Sequence, residues 1–391
     1  MPQQSGTAQR SFSPSAEPAP APALFQSFIQ GGFECSTHKR KSGLRLDIIA
    51  SSEHDQFALE DYRQLQGFGI RTVRDGVRWY RVETQAGQYD WSSWLPMLQA
   101  AQAAGTQVVW DLLHYGWPDD VDIWQPSFVD RFARFAGAAA RLVREHSDAV
   151  PFYAPVNEIS FLAWAGGDAR YLNPFAAKRS YELKVQLARA SLAAMHAIRA
   201  VDGRARFVHC DPIINIAAYP SRPEQAKIAE GHSQAQFQGW DMLSGRLLPE
   251  LGGSPDLLDI VGVNFYHNNQ WFHKGRTIKI GSPSYRPLRQ MLADTYARYR
   301  RPLLVAETGI EDERRPAWFA YVADEVAAAR ASGVPMEGIC LYPVLNHFGW
   351  DDDRPCHNGL LEHHREGDGR RVYQPLADEI RRQRAAHPDW H

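Results

Sequence analysis

Eight short apolar runs, each followed by an amphipathic stretch, recur along this 391-residue chain from residue 25 onward. The runs lack a strict apolar–polar alternation, which is typical of parallel strands that are buried on both faces. We predict strands at 28–32, 70–74, 107–112, 152–156, 206–210, 258–263, 302–306 and 338–342. We predict helices at 55–67, 92–104, 127–145, 181–201, 223–248, 285–299, 316–332 and 375–385. Glycine follows several of these helices, as is common where a helix ends, at Gly69, Gly105, Gly203 and Gly333.

Eight strand–helix units in sequence order predict an α/β fold, a closed (β/α)8 barrel with its active site at the C-terminal ends of the strands. An open doubly wound sheet is the alternative, and it would normally carry a glycine-rich phosphate-binding turn after its first strand. The segment from Gly31 to Glu34 does not have that pattern. We therefore predict one catalytic barrel over residues 25–391, preceded by a disordered Pro- and Ala-rich tail over residues 1–24.

Charge and composition exclude several classes of partner. Lys and Arg number 43 against 45 for Asp and Glu, so we predict neither a nucleic-acid nor a membrane partner. No apolar run approaches the roughly 18 residues of a membrane-spanning helix, and the tail lacks the features of a secretory signal. The cysteines are widely scattered, which favours free thiols in a reducing, cytoplasmic setting. The sequence leaves the oligomeric state open.

Two glutamates stand directly after predicted strands. Glu158 follows Asn157 at the end of the fourth strand, and Glu307 ends the seventh. A glutamate taken alone is usually a surface residue, but an unpaired carboxylate beside an apolar strand is costly to bury. Two such carboxyl groups facing each other across a barrel mouth suit glycosidic cleavage, which needs one proton donor and one nucleophile or base.

The motifs at the other strand ends point the same way. The Asn157–Glu158 pair and Glu307 resemble the acid/base and nucleophile positions of the clan A retaining glycoside hydrolases. More narrowly, the chain resembles glycoside hydrolase family 1, the β-glucosidase family, between about residues 28 and 360. The motif residues that carry this resemblance are Arg74 with Trp79 and Arg81, His114 to Pro118, Asn264 to Tyr266, Phe348, Trp350, and Gly359 with Leu360.

The resemblance implies a role for each matching residue. Glu307 is the expected nucleophile, oriented by Arg74 and Tyr266, and Glu158 is the expected acid/base. The expected substrate-binding residues are His38, His114, Asn157, Trp271, Tyr342 and Trp350. Asn157 is expected to hold the sugar 2-hydroxyl, and Trp350 and Trp271 to stack on sugar rings. No cofactor is implied, and the histidines lack a recognisable metal-ligand spacing, so we predict no metal.

Two departures from the family pattern affect substrate choice. His38 stands where the family has a glutamine, and Gly349 stands where it has a glutamate; both family residues grip the glycone. Lys39, Arg40 and Lys41 could meet an anionic sugar, and Asp351 to Asp353 could bind hydroxyls or a cationic amino sugar. Solvated loops are the alternative for both runs. We therefore expect an altered glycone pocket.

The leading hypothesis is a retaining β-glycoside hydrolase that acts on a carbohydrate substrate by double displacement. Two alternatives stay open. One is a transglycosidase that uses the same residues and passes the sugar to another alcohol. The other is a carbohydrate-binding protein without turnover, although a binder has no need of a charged nucleophile with its orienting partners.

Overall fold

Eight parallel strands close into a barrel in the computed structural model, which describes residues 24–390. They are β1 (Ile29–Gly32), β2 (Thr72–Gly76), β3 (Gln107–Asp111), β4 (Phe152–Ala154), β5 (Arg206–Pro212), β6 (Ile260–Asn264), β7 (Leu303–Thr308) and β8 (Met336–Leu341). Each strand pairs with the next along the chain, and β8 pairs with β1, where Ile339 lies opposite Ile29. The predicted (β/α)8 barrel is confirmed.

Helices surround the barrel. They are α1 (Ile48–Ser51), α2 (His54–Gln66), α3 (Trp79–Val82), α4 (Leu95–Ala104), α5 (Pro126–His146), α6 (Ile159–Gly167), α7 (Ser180–Val201), α8 (Ala226–Gln234), α9 (Gln238–Leu243), α10 (Leu288–Tyr299), α11 (Arg315–Ala331) and α12 (Gln374–Ala386). Among the described residues, none of these helices is long and apolar enough to cross a bilayer. Of the predicted N-terminal tail, all but Leu24 lies outside the described residues.

The single helix predicted over residues 223–248 is wrong. The structure divides this stretch into α8, α9 and short 3-10 turns before and between them. Gln236 lies in the turn between α8 and α9, where its side chain accepts from the backbone N–H of Ile214 at 2.7 Å and donates to the carbonyl of Ile214 at 3.1 Å. These two hydrogen bonds attach the turn between α8 and α9 to the loop that follows β5. Sequence periodicity does not report a bond of this kind, because its partner is distant along the chain.

The barrel interior changes from apolar to charged toward the C-terminal ends of its strands. Val109 on β3 belongs to a small apolar cluster inside the barrel, and Asp111, two residues on, shares its face of the strand. Arg74 on β2 is fully buried and reaches both Asp111 and Glu307. The strand alternation therefore delivers the charged residues to one end of the barrel, where the cavity described next lies.

Candidate active site

A cavity of about 1270 Å³ opens at the C-terminal ends of the barrel strands. Glu158 and Glu307 both line it, together with His114 and Tyr266. Glu158 and Glu307 are also more than nine-tenths buried. Two buried carboxyl groups therefore line the same cavity as side chains that can bind hydroxyl groups. Cleavage of a glycosidic bond requires such an arrangement.

Glu307 is held by one donor on each carboxylate oxygen. Arg74 donates to Oε1 at 2.9 Å, and the hydroxyl of Tyr266 donates to Oε2 at 2.8 Å. These are the two contacts expected from the sequence. Burial raises the pKa of Glu307, whereas the charge of Arg74 and the hydrogen bond from Tyr266 act to lower it. The orientation of this carboxylate is thus fixed before any ligand arrives.

Among the described residues, no positively charged side chain is bonded to Glu158. Asn264 donates its side-chain N–H to Oε1 at 2.8 Å, and the hydroxyl of Tyr115 donates to Oε2. Burial, and then the negative charge of Glu307, raise the pKa of Glu158 well above its usual range. These surroundings favour the protonated form at Glu158 over Glu307, because the carboxylate of Glu307 is bonded to Arg74.

The backbone at Glu158 adopts a conformation that few side chains tolerate. Its φ is +50°, in the left-handed region, at the residue that precedes the first turn of α6. Its N–H donates to the carbonyl of Cys210 at 3.0 Å, which ties the end of β4 to β5. This turn swings the Glu158 side chain into the cavity instead of along the strand. Such strain is a common feature of functional positions.

Asn157 is fully buried within a network of side chains and does not line the cavity. Its Oδ1 accepts from Arg74 at 3.0 Å, and its Nδ2 lies 3.1 Å from both Nε2 of His114 and the hydroxyl of Tyr115. The expected contact between Asn157 and the sugar 2-hydroxyl stays a prediction. His114 does line the cavity, and its Nδ1 lies 3.0 Å from Asp111.

The cavity wall is rich in aromatic side chains. Trp271, Tyr342 and Trp350, all expected to contact substrate, line it. Three further aromatic residues, Tyr115, Phe161 and Tyr171, were missed by the sequence analysis and also line it. Tyr115 could have been found, because it directly follows His114 in a motif that matches the family. The rings of Tyr115 and Trp350 pack edge-to-face at 5.6 Å, which fixes one side of the wall.

Gly32 explains how Tyr342 reaches this wall. A Cβ at Gly32 would lie only 2.0 Å from the Tyr342 ring, so only glycine lets the ring pass over the end of β1. The hydroxyl of Tyr342 donates to the carbonyl of Phe33 at 3.1 Å. The ring is thereby held flat against the strand that it crosses.

His38 lies beside Trp350 in the structure, and its expected contact with substrate stays a prediction. It is 1% exposed, lies outside the cavity lining, and packs edge-to-face against Trp350 at 5.0 Å. Burial lowers the pKa of His38 to about 4, so the ring is neutral. The loop after β1 turns back at this point, where Leu46 donates to the carbonyl of His38 at 2.9 Å. His38 is therefore a support for Trp350, and the residue of this loop that lines the cavity is Glu34.

Gly349 lines the cavity, but the absence of a side chain there does not leave an open space. A Cβ there would lie 2.3 Å from Oδ1 of Asp352, so a neighbouring side chain fills the space. Arg40 donates to the carbonyls of Gly349 at 2.9 Å and Trp350 at 2.6 Å, and it pairs with Asp353 at 3.0 Å. Arg40 thus fixes the loop after β8.

One group of side chains among the described residues has the composition of a metal site: Cys35, Asp111 and His114. Asp111 already accepts from Arg74 at 2.6 Å, and a cation at this point would meet the guanidinium. The Sγ of Cys35 lies 3.1 Å from Nδ1 of His114 and 3.7 Å from Oδ2 of Asp111, so the three side chains already contact one another. The three residues fit a hydrogen-bonded cluster better than a metal centre.

Comparison with known proteins places the fold. No family model matches the sequence, and no curated protein matches it in sequence. Solved structures do match. A family 1 β-glucosidase from Thermotoga maritima is 13% identical with a TM-score of 0.75, covering 93% of this chain and 99% of that one. The β-glycosidase from Thermosphaera aggregans is 14% identical with a TM-score of 0.71, covering 92% and 96%. The AHE enzyme from Alicyclobacillus herbarius is 16% identical with a TM-score of 0.74, covering 93% and 98%. The chain has the fold of the family 1 β-glucosidases.

Proposed function

We propose that this protein is a retaining β-glycoside hydrolase in which Glu307 is the nucleophile and Glu158 the acid/base. The observation that carries the proposal is the unequal environment of the two carboxyl groups. Glu307 accepts from Arg74 and Tyr266, whereas the donors that the described residues supply to Glu158, from Tyr115 and Asn264, are neutral. Pairs of acidic groups whose surroundings separate their pKa values are suited to distinct acid and nucleophile roles.

In the first step, the Glu307 carboxylate attacks the anomeric carbon and forms a glycosyl ester. Glu158 gives its proton to the departing glycosidic oxygen, so the aglycone leaves as a neutral alcohol. The ester removes the negative charge that raised the pKa of Glu158. Glu158, now ionised, accepts a proton from water as that water attacks the anomeric carbon, and Glu307 is released as a carboxylate. Two displacements at one carbon leave the anomeric configuration unchanged.

Two solved structures of the Thermotoga maritima enzyme support a carbohydrate ligand for the cavity. They hold glucoimidazole and deoxynojirimycin, and each covers more than nine-tenths of this chain. The aromatic wall of Tyr115, Phe161 and Trp350 gives this chain surfaces on which sugar rings or an aromatic aglycone can stack. The four cysteines are all free and buried, which supports the expected reducing, cytoplasmic location.

The test is turnover of a panel of chromogenic aryl β-glycosides by the wild-type protein and by Glu307→Gln and Glu158→Gln variants. We expect the wild type to release the aryl alcohol and Glu307→Gln to lose this activity. Proton NMR of the first product should show the β-anomer. Glu60→Gln, at an exposed position on α2, is the matched control and should retain activity.

Two outcomes would reject the proposal: no turnover of any β-glycoside in the panel, or an α-anomer as the first product. Adding an alcohol acceptor at high concentration separates hydrolysis from transglycosylation, because a transglycosidase then yields mainly the new glycoside.

A further inference from the structure

A third buried carboxyl group, which the proposed mechanism does not use, lines the cavity together with Glu158 and Glu307; we call this buried part of the cavity its floor. Glu34 follows β1, lines the cavity, and has a side chain that is 8% exposed. Its Oε1 accepts from both the backbone N–H of Ser36 at 2.9 Å and the hydroxyl of Ser36. Among the described residues, no hydrogen bond reaches Oε2. One oxygen is therefore fixed by the protein, and the other is free to accept from a ligand.

Several charged groups lie at the same end of the barrel as Glu34. Among the buried carboxyl groups at this end of the barrel, Glu34, Glu158 and Glu307 line the cavity, and Asp111 is bonded to Arg74. The groups that can oppose them are the guanidinium of Arg74, which is bonded to Asp111 and Glu307, and the imidazole of His114, whose Nε2 lies 3.8 Å from Oε1 of Glu34. Arg74 is therefore engaged by two other carboxyl groups, and His114 is the one potential cation that the described residues place within 4 Å of Glu34. A buried carboxyl group in such surroundings favours a ligand that supplies positive charge.

Two basic residues of the neighbouring loop are paired elsewhere. Lys39 pairs with Asp119 at 2.8 Å, away from the floor, and Arg40 is bonded to the loop after β8. An anionic sugar entering the cavity would therefore find these two cations already paired. This removes the support for a phosphate or uronate substrate that the run of basic residues in the sequence suggested.

We propose that Glu34 contacts the glycone and determines specificity for it. Glu34 favours a sugar that carries an ammonium group over the neutral sugar, and it disfavours a uronate. A carboxylate only accepts hydrogen bonds, and an ammonium group supplies up to three donors together with a positive charge. Charge-assisted hydrogen bonds are about twice as strong as neutral ones. The inference rests on the proposed function in one respect, since it takes this cavity as the sugar site.

Binding of free monosaccharides tests the inference without requiring turnover. The probes are glucose, its 2-amino, 3-amino and 6-amino deoxy analogues, and glucuronate, titrated at neutral pH by ligand-observed NMR. We expect at least one amino sugar to bind on the order of tenfold more tightly than glucose, the difference between a charge-assisted and a neutral hydrogen bond. Glucuronate should bind more weakly than glucose.

Glu34→Gln keeps the shape of the side chain and removes its charge, so it should abolish the preference for the amino sugar. Asp168→Asn is the matched control, because Asp168 is an exposed carboxylate that lines the same cavity away from the floor. That variant should keep the preference. The melting temperature of each variant, measured alongside, verifies that it is folded.

Each result decides the matter. A wild type that binds glucose as tightly as every amino sugar overturns the inference, even if Glu34→Gln does not fold. So does a Glu34→Gln variant that retains the preference. If β-glycosides are hydrolysed with retention but the ranking of sugars is wrong, only the inference fails. If the ranking holds and no glycoside is hydrolysed, only the proposed function fails.

Discussion

The hydroxyl of Tyr115 donates a hydrogen bond to Oε2 of Glu158, and it lies 3.1 Å from Nδ2 of Asn157, the residue that precedes Glu158 in the chain. Tyr115 is itself held in a left-handed conformation, with φ of +68°. Glu158, the proposed acid/base, is therefore held by the loop after β3 as well as by its own strand. A donor to the ionised carboxylate lowers its pKa, which opposes the effect of burial.

Replacing this donor should move the pH profile in a known direction. In Tyr115→Phe, the ionised form of Glu158 loses a hydrogen bond, so the pKa of Glu158 rises further. The protonated acid then persists to higher pH, and the alkaline limb of kcat/KM should shift upward. Tyr171→Phe is the control, since the hydroxyl of Tyr171 contacts Asp351 at the rim. A limb that moves downward in Tyr115→Phe would contradict this account.

Glu307→Ala should reduce kcat by on the order of 10⁴-fold or more, in line with the loss of a nucleophile in other enzymes. Added azide should partly restore turnover of an activated aryl glycoside by taking the place of the carboxylate. The rescued product should be the α-glycosyl azide, because only one displacement then occurs. NMR of that product is the measurement, and a β-azide would rule out Glu307 as the nucleophile.

Glu158→Gln should affect substrates according to their leaving groups. General acid catalysis contributes about 10²–10⁴-fold, and a poor leaving group depends on it fully. Alkyl glycosides should therefore lose activity far more than dinitrophenyl glycosides in the first step. A series of aryl glycosides of graded phenol pKa measures this dependence, and equal losses across the series would remove the acid role.

The buried cluster around Arg74 should matter for stability as well as catalysis. Removing one partner of a buried ion pair typically destabilises by about 3–5 kcal/mol, so Arg74→Met should lower the free energy of unfolding by that order at pH 7. Arg365→Met, in an exposed pair with Glu362 at 3.2 Å, should change it by less than about 1 kcal/mol. Urea denaturation compares the two variants.

The same cluster predicts a pH dependence. Burial acts to raise the pKa of Asp111, but Arg74 and His114 lower it below its usual value. A carboxyl group with a lowered pKa in the folded state stabilises the protein above its unfolded pKa, and this contribution is lost as the pH falls through the folded value. The deficit of Arg74→Met should therefore shrink on acidification. A deficit that grows instead would contradict the pairing.

The sequence predicts the barrel and the position of the two glutamates well, because both follow from local patterns. Buried parallel strands require unbroken apolar runs, and the residue after such a run must lie at the barrel mouth. The loop after β1 follows other rules. Its path depends on contacts with distant residues, among them the backbone N–H of Lys39 donating to Asn173 at 2.6 Å. Alignment with the family motif therefore predicts that His38 contacts the substrate, whereas in the folded loop Glu34 is the residue that lines the cavity.

Arg40 joins the loop after the first barrel strand to the loop after the last one. Its guanidinium donates to the carbonyls of Gly349 and Trp350, some 310 residues further along the chain. The wall that carries Trp350 is thus completed only at the seam where β1 meets β8. A ligand that stacks on Trp350 binds the closed barrel and not a state in which β1 and β8 have separated. By mass action it stabilises that closure in proportion to its occupancy. Ligand-dependent protection of amide hydrogens in β1 and β8 would make occupancy of the cavity a reporter of the pairing that closes the barrel.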